Sequence, residues 1–171
     1  DLERNLTPEE IEVNYRVIES YSRDSSPRIN YIKGCYLTKQ QKWADGIKLI
    51  KSVATTKHYP AACASYSRFL FVRGGYIPFD EKEGFENLKY AVDHGCIRNS
   101  YDLGKCYADG IRCTKDEQLA RFYYAKGAEI GEPRALKAYN DFYYEYELNS
   151  KLQSASFNLF FNRSEERRVG K

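Results

Sequence analysis

His94 stands between Asp93 and Cys96, and a thiol, an imidazole and a carboxylate are the ingredients of a cysteine nucleophile. Their placement speaks against that chemistry. Gly95 and a predicted helix end separate the imidazole from the thiol, and a histidine at a helix C-terminus is a favourable partner for the helix dipole. The five cysteines (Cys35, Cys63, Cys96, Cys106, Cys113) contain no CxxC pair, and the only histidines are His58 and His94. Zinc sites are built from such pairs, so no metal site is expected. An odd number of thiols in a chain long enough to need no staples reads as small core residues kept reduced. Glu9/Glu10 and Glu81/Glu83 read as helix N-terminal charges, and Gly74-Gly75 lacks the preceding strand and following Lys-Ser/Thr of a phosphate cradle. No catalytic residue and no cofactor is expected.

Composition points the same way. Of 171 residues, 42% are hydrophobic and 30% charged, which describes a globular chain. No apolar run approaches the ~20 residues of a membrane-spanning helix, so no membrane insertion is expected. The net charge of +3 resides in residues 151–171, which carry five basic side chains against two acidic; residues 1–150 hold 22 of each sign. A neutral body does not gather phosphates, so nucleic acid is not an expected partner. No basic and apolar leader follows Asp1, and with reduced thiols this makes the cytoplasm the expected compartment. The sequons Asn5-Leu6-Thr7 and Asn162-Arg163-Ser164 would matter only in a lumenal setting.

The positioning elements follow from an internal repeat. Sliding the sequence by 36 residues carries Gly74 onto Gly110, Asp80 onto Asp116, Gly84 onto Ala120, Val92 onto Ala128 and Gly95 onto Gly131; Phe71 falls on Tyr107. A slide of 35 carries Ser100, Leu103 and Tyr107 onto Ala135, Ala138 and Phe142. A looser earlier copy matches Ile32 and Tyr36 to Leu103 and Tyr107, and Ile47, Ile50 and Ala54 to Ala120, Tyr123 and Gly127. Each unit reads as two helices. Ser100, Leu103, Gly104 and Tyr107 lie on one face of the first; Ala120, Tyr123, Tyr124, Gly127 and Ala128 line the second. Gly104 inside a helix implies close approach of a neighbour. Gly110 ends the first helix in a left-handed conformation, Thr114 or Asp116 caps the second, Gly131 closes it, and Pro133 opens the next.

The pattern LGxxYxxG followed by DxxxAxxYYxxxAxxxG resembles the Sel-one-like repeat, a longer relative of the tetratricopeptide repeat. It is close over residues 99–131 and good over 62–95, looser over 28–58, and limited to a first helix over 132–148. The resemblance implies an all-α fold: an α/α solenoid of about three to four helix-turn-helix repeats of roughly 36 residues. It brings no catalytic residues and implies a scaffold for protein complexes. The sequence departs from the pattern at Gly84, usually alanine, and at Arg68, where the first helix's glycine is expected. The cysteine pairs seven residues apart that staple a bacterial branch of the family fall here on Ala128 and Ala135, or Val92 and Asn99.

The expected organisation is an N-terminal capping helix over 1–24, a divergent repeat 1 over 25–60, repeat 2 over 61–97 and repeat 3 over 98–133. The first helix of a partial repeat 4 follows over 134–150, then a C-terminal cap and disordered tail over 151–171. Thr7-Pro8-Glu9-Glu10 is the signature of a helix start, with Ile11, Tyr15 and Ile18 on one face. If first helices line the binding face, positions beside the core stripe point into a concave groove. The expected partner-binding residues are Tyr31, Tyr66, Phe69, Arg73, Asp102, Lys105, Asn140 and Asp141, a set of aromatics and mixed charge suited to a protein or peptide ligand. The expected function is a non-catalytic scaffold or adaptor. The alternatives are a regulatory repeat fragment of a larger enzyme or enzyme complex, and a lumenal quality-control adaptor.

Overall fold

The computed structural model describes residues 26–169 together with Val13, Arg16, Val17 and Ser20. The described residues form seven α-helices and no strand: α1 (Pro27–Lys39), α2 (Trp43–Lys57), α3 (Pro60–Leu70), α4 (Glu81–Asp93), α5 (Ser100–Asp109), α6 (Glu117–Glu129) and α7 (Pro133–Val169), with a 3₁₀ turn, Ile97–Asn99, before α5. The capping helix expected over 1–24 lies outside the described residues apart from those four, which are helical.

The helix boundaries follow local chemistry. Ser26 caps α1 by accepting a hydrogen bond from the Ile29 amide at 3.4 Å, with Pro27 in the first turn. The Asp80 carboxylate accepts from the Glu83 amide at 2.9 Å. Asp116, rather than Thr114, caps α6, accepting from Gln118 and Leu119 at 3.0 and 2.9 Å. Gly110 closes α5 at φ 65°, where a side chain would be strained. The break expected at residue 150 is absent: α7 runs on from Pro133 to Val169, because no proline or glycine interrupts residues 134–169. The tail expected to be disordered is therefore helical as far as Val169. In the stretch expected to hold the C-terminal cap, Leu152 is exposed, and the side chains of Phe157, Leu159, Phe160 and Phe161 lie outside the described ones.

The helices pack as successive hairpins: α1 on α2, α3 on α4 and α5 on α6. Hairpins join through α2 on α3, α4 on α5 and its preceding turn, and α6 on α7. Within each hairpin, small residues sit where the backbones cross. A Cβ on Gly104 would lie 2.8 Å from the Tyr124 ring and 3.2 Å from the Ala120 carbonyl oxygen; one on Gly34 would lie 2.7 Å from Ile50 and 3.1 Å from the Gly46 carbonyl oxygen. That close approach leaves the volume between helices to large rings. Tyr107 stacks on Tyr123 (centroids 5.7 Å apart, planes 4° from parallel), and Phe85 meets the Tyr107 ring edge-on at 5.6 Å. Tyr36, Tyr107, Tyr123 and Tyr124 are all buried, as the repeat pattern predicts.

Polar ties link successive hairpins. The Tyr123 hydroxyl donates to the Asp93 carboxylate at 3.0 Å, reaching from α6 to α4. Burial pushes the Asp93 carboxyl upward, but hydrogen bonds from Lys89 and Tyr123 and the charges of Lys89 and Lys126 outweigh it and hold the group below its usual range. Tyr31 of α1 and Ser65 of α3 share a hydrogen bond of 2.9 Å.

Gly104→Val tests the crossing. The added branches meet Tyr124 and a backbone carbonyl, so urea unfolding should show a loss of roughly 1–3 kcal/mol from overpacking. An unchanged midpoint would mean the helices do not approach here.

Candidate protein-interaction groove

A groove of about 960 Å³ runs along the first helices of the repeats, from Tyr31 on α1 across α3 and α5 to Arg134 on α7. Its apolar surface comes from Ala61, Ala64, Phe71, Val72, Leu88, Cys106 and Ile111, and its charge from Arg68, Arg98, Lys105, Arg112 and Arg134 against Asp102 and Asp109. Five cations facing two carboxylates differ sharply from the balanced composition of residues 1–150.

The cations are held in distinct ways. Lys105 pairs with Asp109 at 2.9 Å, one turn along α5. Arg134 pairs with Glu132 at 2.8 Å and Asp102 at 3.4 Å, and its guanidinium lies 4.6 Å from the centre of the Tyr101 ring. Burial raises the Asp102 carboxyl above its ordinary value, against the opposing pull of Arg134. Arg68 donates to the Ser65 hydroxyl at 3.3 Å. Arg112 sits in the loop after α5 at φ 71°, with its guanidinium 4.0 Å from the centre of the Phe71 ring.

The residues expected at a binding face divide into three groups. Tyr31, Asp102 and Lys105 line the groove. Arg73, Asn140 and Asp141 are exposed but outside its lining, and Arg73 stacks on Phe79 at 4.0 Å. Tyr66 and Phe69 are corrections. Tyr66 is 1% exposed and sits in the core with Ile50, Cys63 and Leu70, while Phe69 is half-buried against that same cluster. The reason is register. In helix α3 the burial pattern matches α5 at a slide of 37 residues: Cys63, Tyr66, Ser67 and Leu70 take the places of Ser100, Leu103, Gly104 and Tyr107. The extra residue is absorbed in the longer loop after α3. Ser67, fully buried, then takes the place of Gly104, and Arg68, in the place of Lys105, is exposed in the groove lining. A one-residue change of slide, read from burial rather than from glycines, is the signal that would have found Arg68. Arg112 depends on a loop conformation with no sequence signature.

The thiol and imidazole chemistry is quiet. The Cys63 thiol is pushed up to about 11 by burial, and burial is also the main cause raising Cys35, Cys96, Cys106 and Cys113. None of the five is in a disulfide. A raised thiol is the opposite of an activated nucleophile. The His94 ring stacks on Tyr90 at 3.8 Å, with Nδ1 2.8 Å from the Tyr90 carbonyl oxygen. Among the described residues no group of three or more His, Cys, Asp or Glu side chains is arranged to hold a metal, and no helix is long and apolar enough to cross a membrane.

No family model matches the sequence. No curated protein matches it either. Among solved structures the chain is similar to a Sel1 repeat protein from Oxalobacter formigenes, with a TM-score of 0.65 and 22% identity over 75% of this chain and 98% of that one. It is also similar to c5321, a protective antigen present in uropathogenic Escherichia coli strains displaying an SLR fold, with a TM-score of 0.61 and 21% identity over 74% of this chain. The match spans 28% of that second protein. The fold is that of the Sel1-like repeat solenoids, an all-α helical-repeat protein.

The register correction makes a direct prediction. Tyr66→Ala empties a fully buried aromatic site and should lower unfolding free energy by about 3–5 kcal/mol in urea titration. A loss under about 1 kcal/mol would return Tyr66 to the surface.

Proposed function

We propose that the chain is a non-catalytic repeat scaffold that binds a protein or peptide in the groove along its first helices. One observation carries this reading: the groove crosses several repeats, from α1 to α7, and its lining mixes apolar side chains with charged ones. Protein interfaces combine these features in the same way, with an apolar centre that excludes water and a polar rim. Its length and mixed lining suit an extended segment better than a small molecule enclosed on all sides.

The side chains that would be needed for catalysis are spent elsewhere, which supports the same reading. His94 is occupied at the end of α4, and the neighbouring Cys96 thiol is raised by burial. The fold is shared with proteins described as a Sel1 repeat protein and an SLR-fold antigen, and repetition of one helix hairpin is a means of building an extended binding surface.

Plugging the groove tests the reading. Lys105 and Asp109 form an exposed i,i+4 pair whose loss costs about 0.3–0.5 kcal/mol. The double variant Lys105→Trp/Asp109→Trp should therefore stay folded while filling the groove with two indoles. In quantitative affinity capture, proteins retained by the wild-type chain should fall at least tenfold, whereas Lys48→Trp on exposed α2 surface should retain them. Undiminished capture by the folded, plugged variant would place the binding surface elsewhere.

A further inference from the structure

We propose that the Arg68–Phe71–Arg112 corner of the groove is a subsite for side-chain carboxylates of an extended acidic segment in a partner protein. The inference rests on the groove being the interaction surface and names the chemistry of what enters it.

Charge complementarity within the groove is the starting point. Lys105 and Arg134 are already neutralised by Asp109, Asp102 and Glu132. Arg68 and Arg112 are not: no carboxylate among the described residues lies within ion-pair distance of either. Both line the same groove. Arg68 precedes Phe71 by three residues at the end of α3, and Arg112 lies over the Phe71 face at 4.0 Å. A carboxylate entering here would meet the Arg112 guanidinium over its aromatic floor, with Arg68, whose guanidinium reaches back to Ser65, on the same groove lining.

Arg112 is held ready in an unusual way. Its backbone is left-handed at φ 71°, a region a side-chain-bearing residue enters at a cost. Its Nε is shut off from solvent and has no hydrogen-bond partner, and Nη1 reaches only the Cys106 sulfur at 3.9 Å. The stack on Phe71 and this long contact to a sulfur hold the guanidinium; no carboxylate among the described residues does. With Nε closed off, an incoming carboxylate is received by the terminal nitrogens. A planar donor fork already held against a ring loses little rotamer freedom on binding, and arginine forks match carboxylates in shape. The apolar lining from Ala64, Phe71 and Leu88 strengthens such charge-assisted bonds by excluding water.

An extended protein segment fits better than a nucleic acid. Phosphate-backbone binding uses many cations spread over a surface, whereas this corner offers two without a carboxylate partner among the described residues, and residues 1–150 have balanced charge. Because the groove continues in both directions, towards Tyr31 and towards Arg134, the carboxylates belong to side chains within a segment rather than to a chain terminus.

The test is a selection of random displayed peptides about twelve residues long on the full chain, followed by fluorescence anisotropy with the synthetic winners. Enriched sequences should carry Asp or Glu in clusters. Their binding should weaken at least tenfold on Arg68→Gln/Arg112→Gln, remain unchanged on Arg73→Gln outside the groove, and weaken with added salt. Arg112→Lys keeps the charge but loses the planar fork, and should fall between wild type and the double variant with an unchanged helical spectrum. Winners without acidic enrichment, winners that bind the double variant normally, or an empty selection would each overturn the carboxylate subsite. So would tighter binding of a phosphoserine peptide or of homopolymer RNA than of the acidic winners. The Lys105→Trp/Asp109→Trp variant separates the two readings. Peptides blocked by the plug but indifferent to Arg68 and Arg112 leave the groove standing without the subsite, and peptides indifferent to both remove the groove itself.

Discussion

The close crossing of the two helices in each hairpin is the constraint on which the rest of the molecule depends. Where Gly34 meets Gly46 and Ile50, and where Gly104 meets Ala120 and Tyr124, a single extra carbon would collide with its neighbour. Such an approach fixes which faces of the two helices look at each other. Once that is settled, the buried rings have defined places, with Tyr107 on Tyr123 and Phe85 against Tyr107. The faces turned away from the crossing are settled at the same time, and the groove is lined by the outer edge of the first helices. Helix packing and groove lining are thus two consequences of one geometry, and a register change in one moves the other.

Repeat 2 shows how finely this is set. Its first helix carries no glycine, and the buried Ser67 takes the position that Gly104 occupies in repeat 3. With that phase, Tyr66 fills the core and Arg68 faces the groove. With the phase one residue earlier, Tyr66 would face the groove and Arg68 would be forced against α4. The second arrangement would bury an arginine without a carboxylate partner, which is a large penalty, while exposing a ring that otherwise removes apolar area from water. Burial therefore decides the register, and the loop after α3 takes up the difference.

Much of the fold was legible in the sequence because its signals are local. Gly110, Asp116, Gly131 and Pro133 mark helix ends through backbone conformation and capping that depend on few neighbours. The core tyrosines follow from helical periodicity. The groove lining was legible only in part: Tyr31, Asp102 and Lys105 are at the groove, whereas Tyr66 and Phe69 are not. A sliding alignment anchored on glycines tracks loops as well as helices, so an extra loop residue shifts every side chain in α3 by about 100°. Arg112 depends on a left-handed loop residue and on a ring from the preceding repeat, a long-range meeting that spacing cannot encode. The length of α7 was missed because a helix stop was expected from the end of the repeat pattern rather than from a breaking residue.

The central claim is that first helices present the binding face and second helices do not. Site-specific photo-crosslinking measures this directly. A photoreactive phenylalanine analogue at Ala61, in the groove, is compared with the same analogue at Glu86, on the exposed side of α4. The account predicts partner crosslinks from position 61 and none above background from position 86. Crosslinks from position 86 alone, with the chain folded, would contradict it.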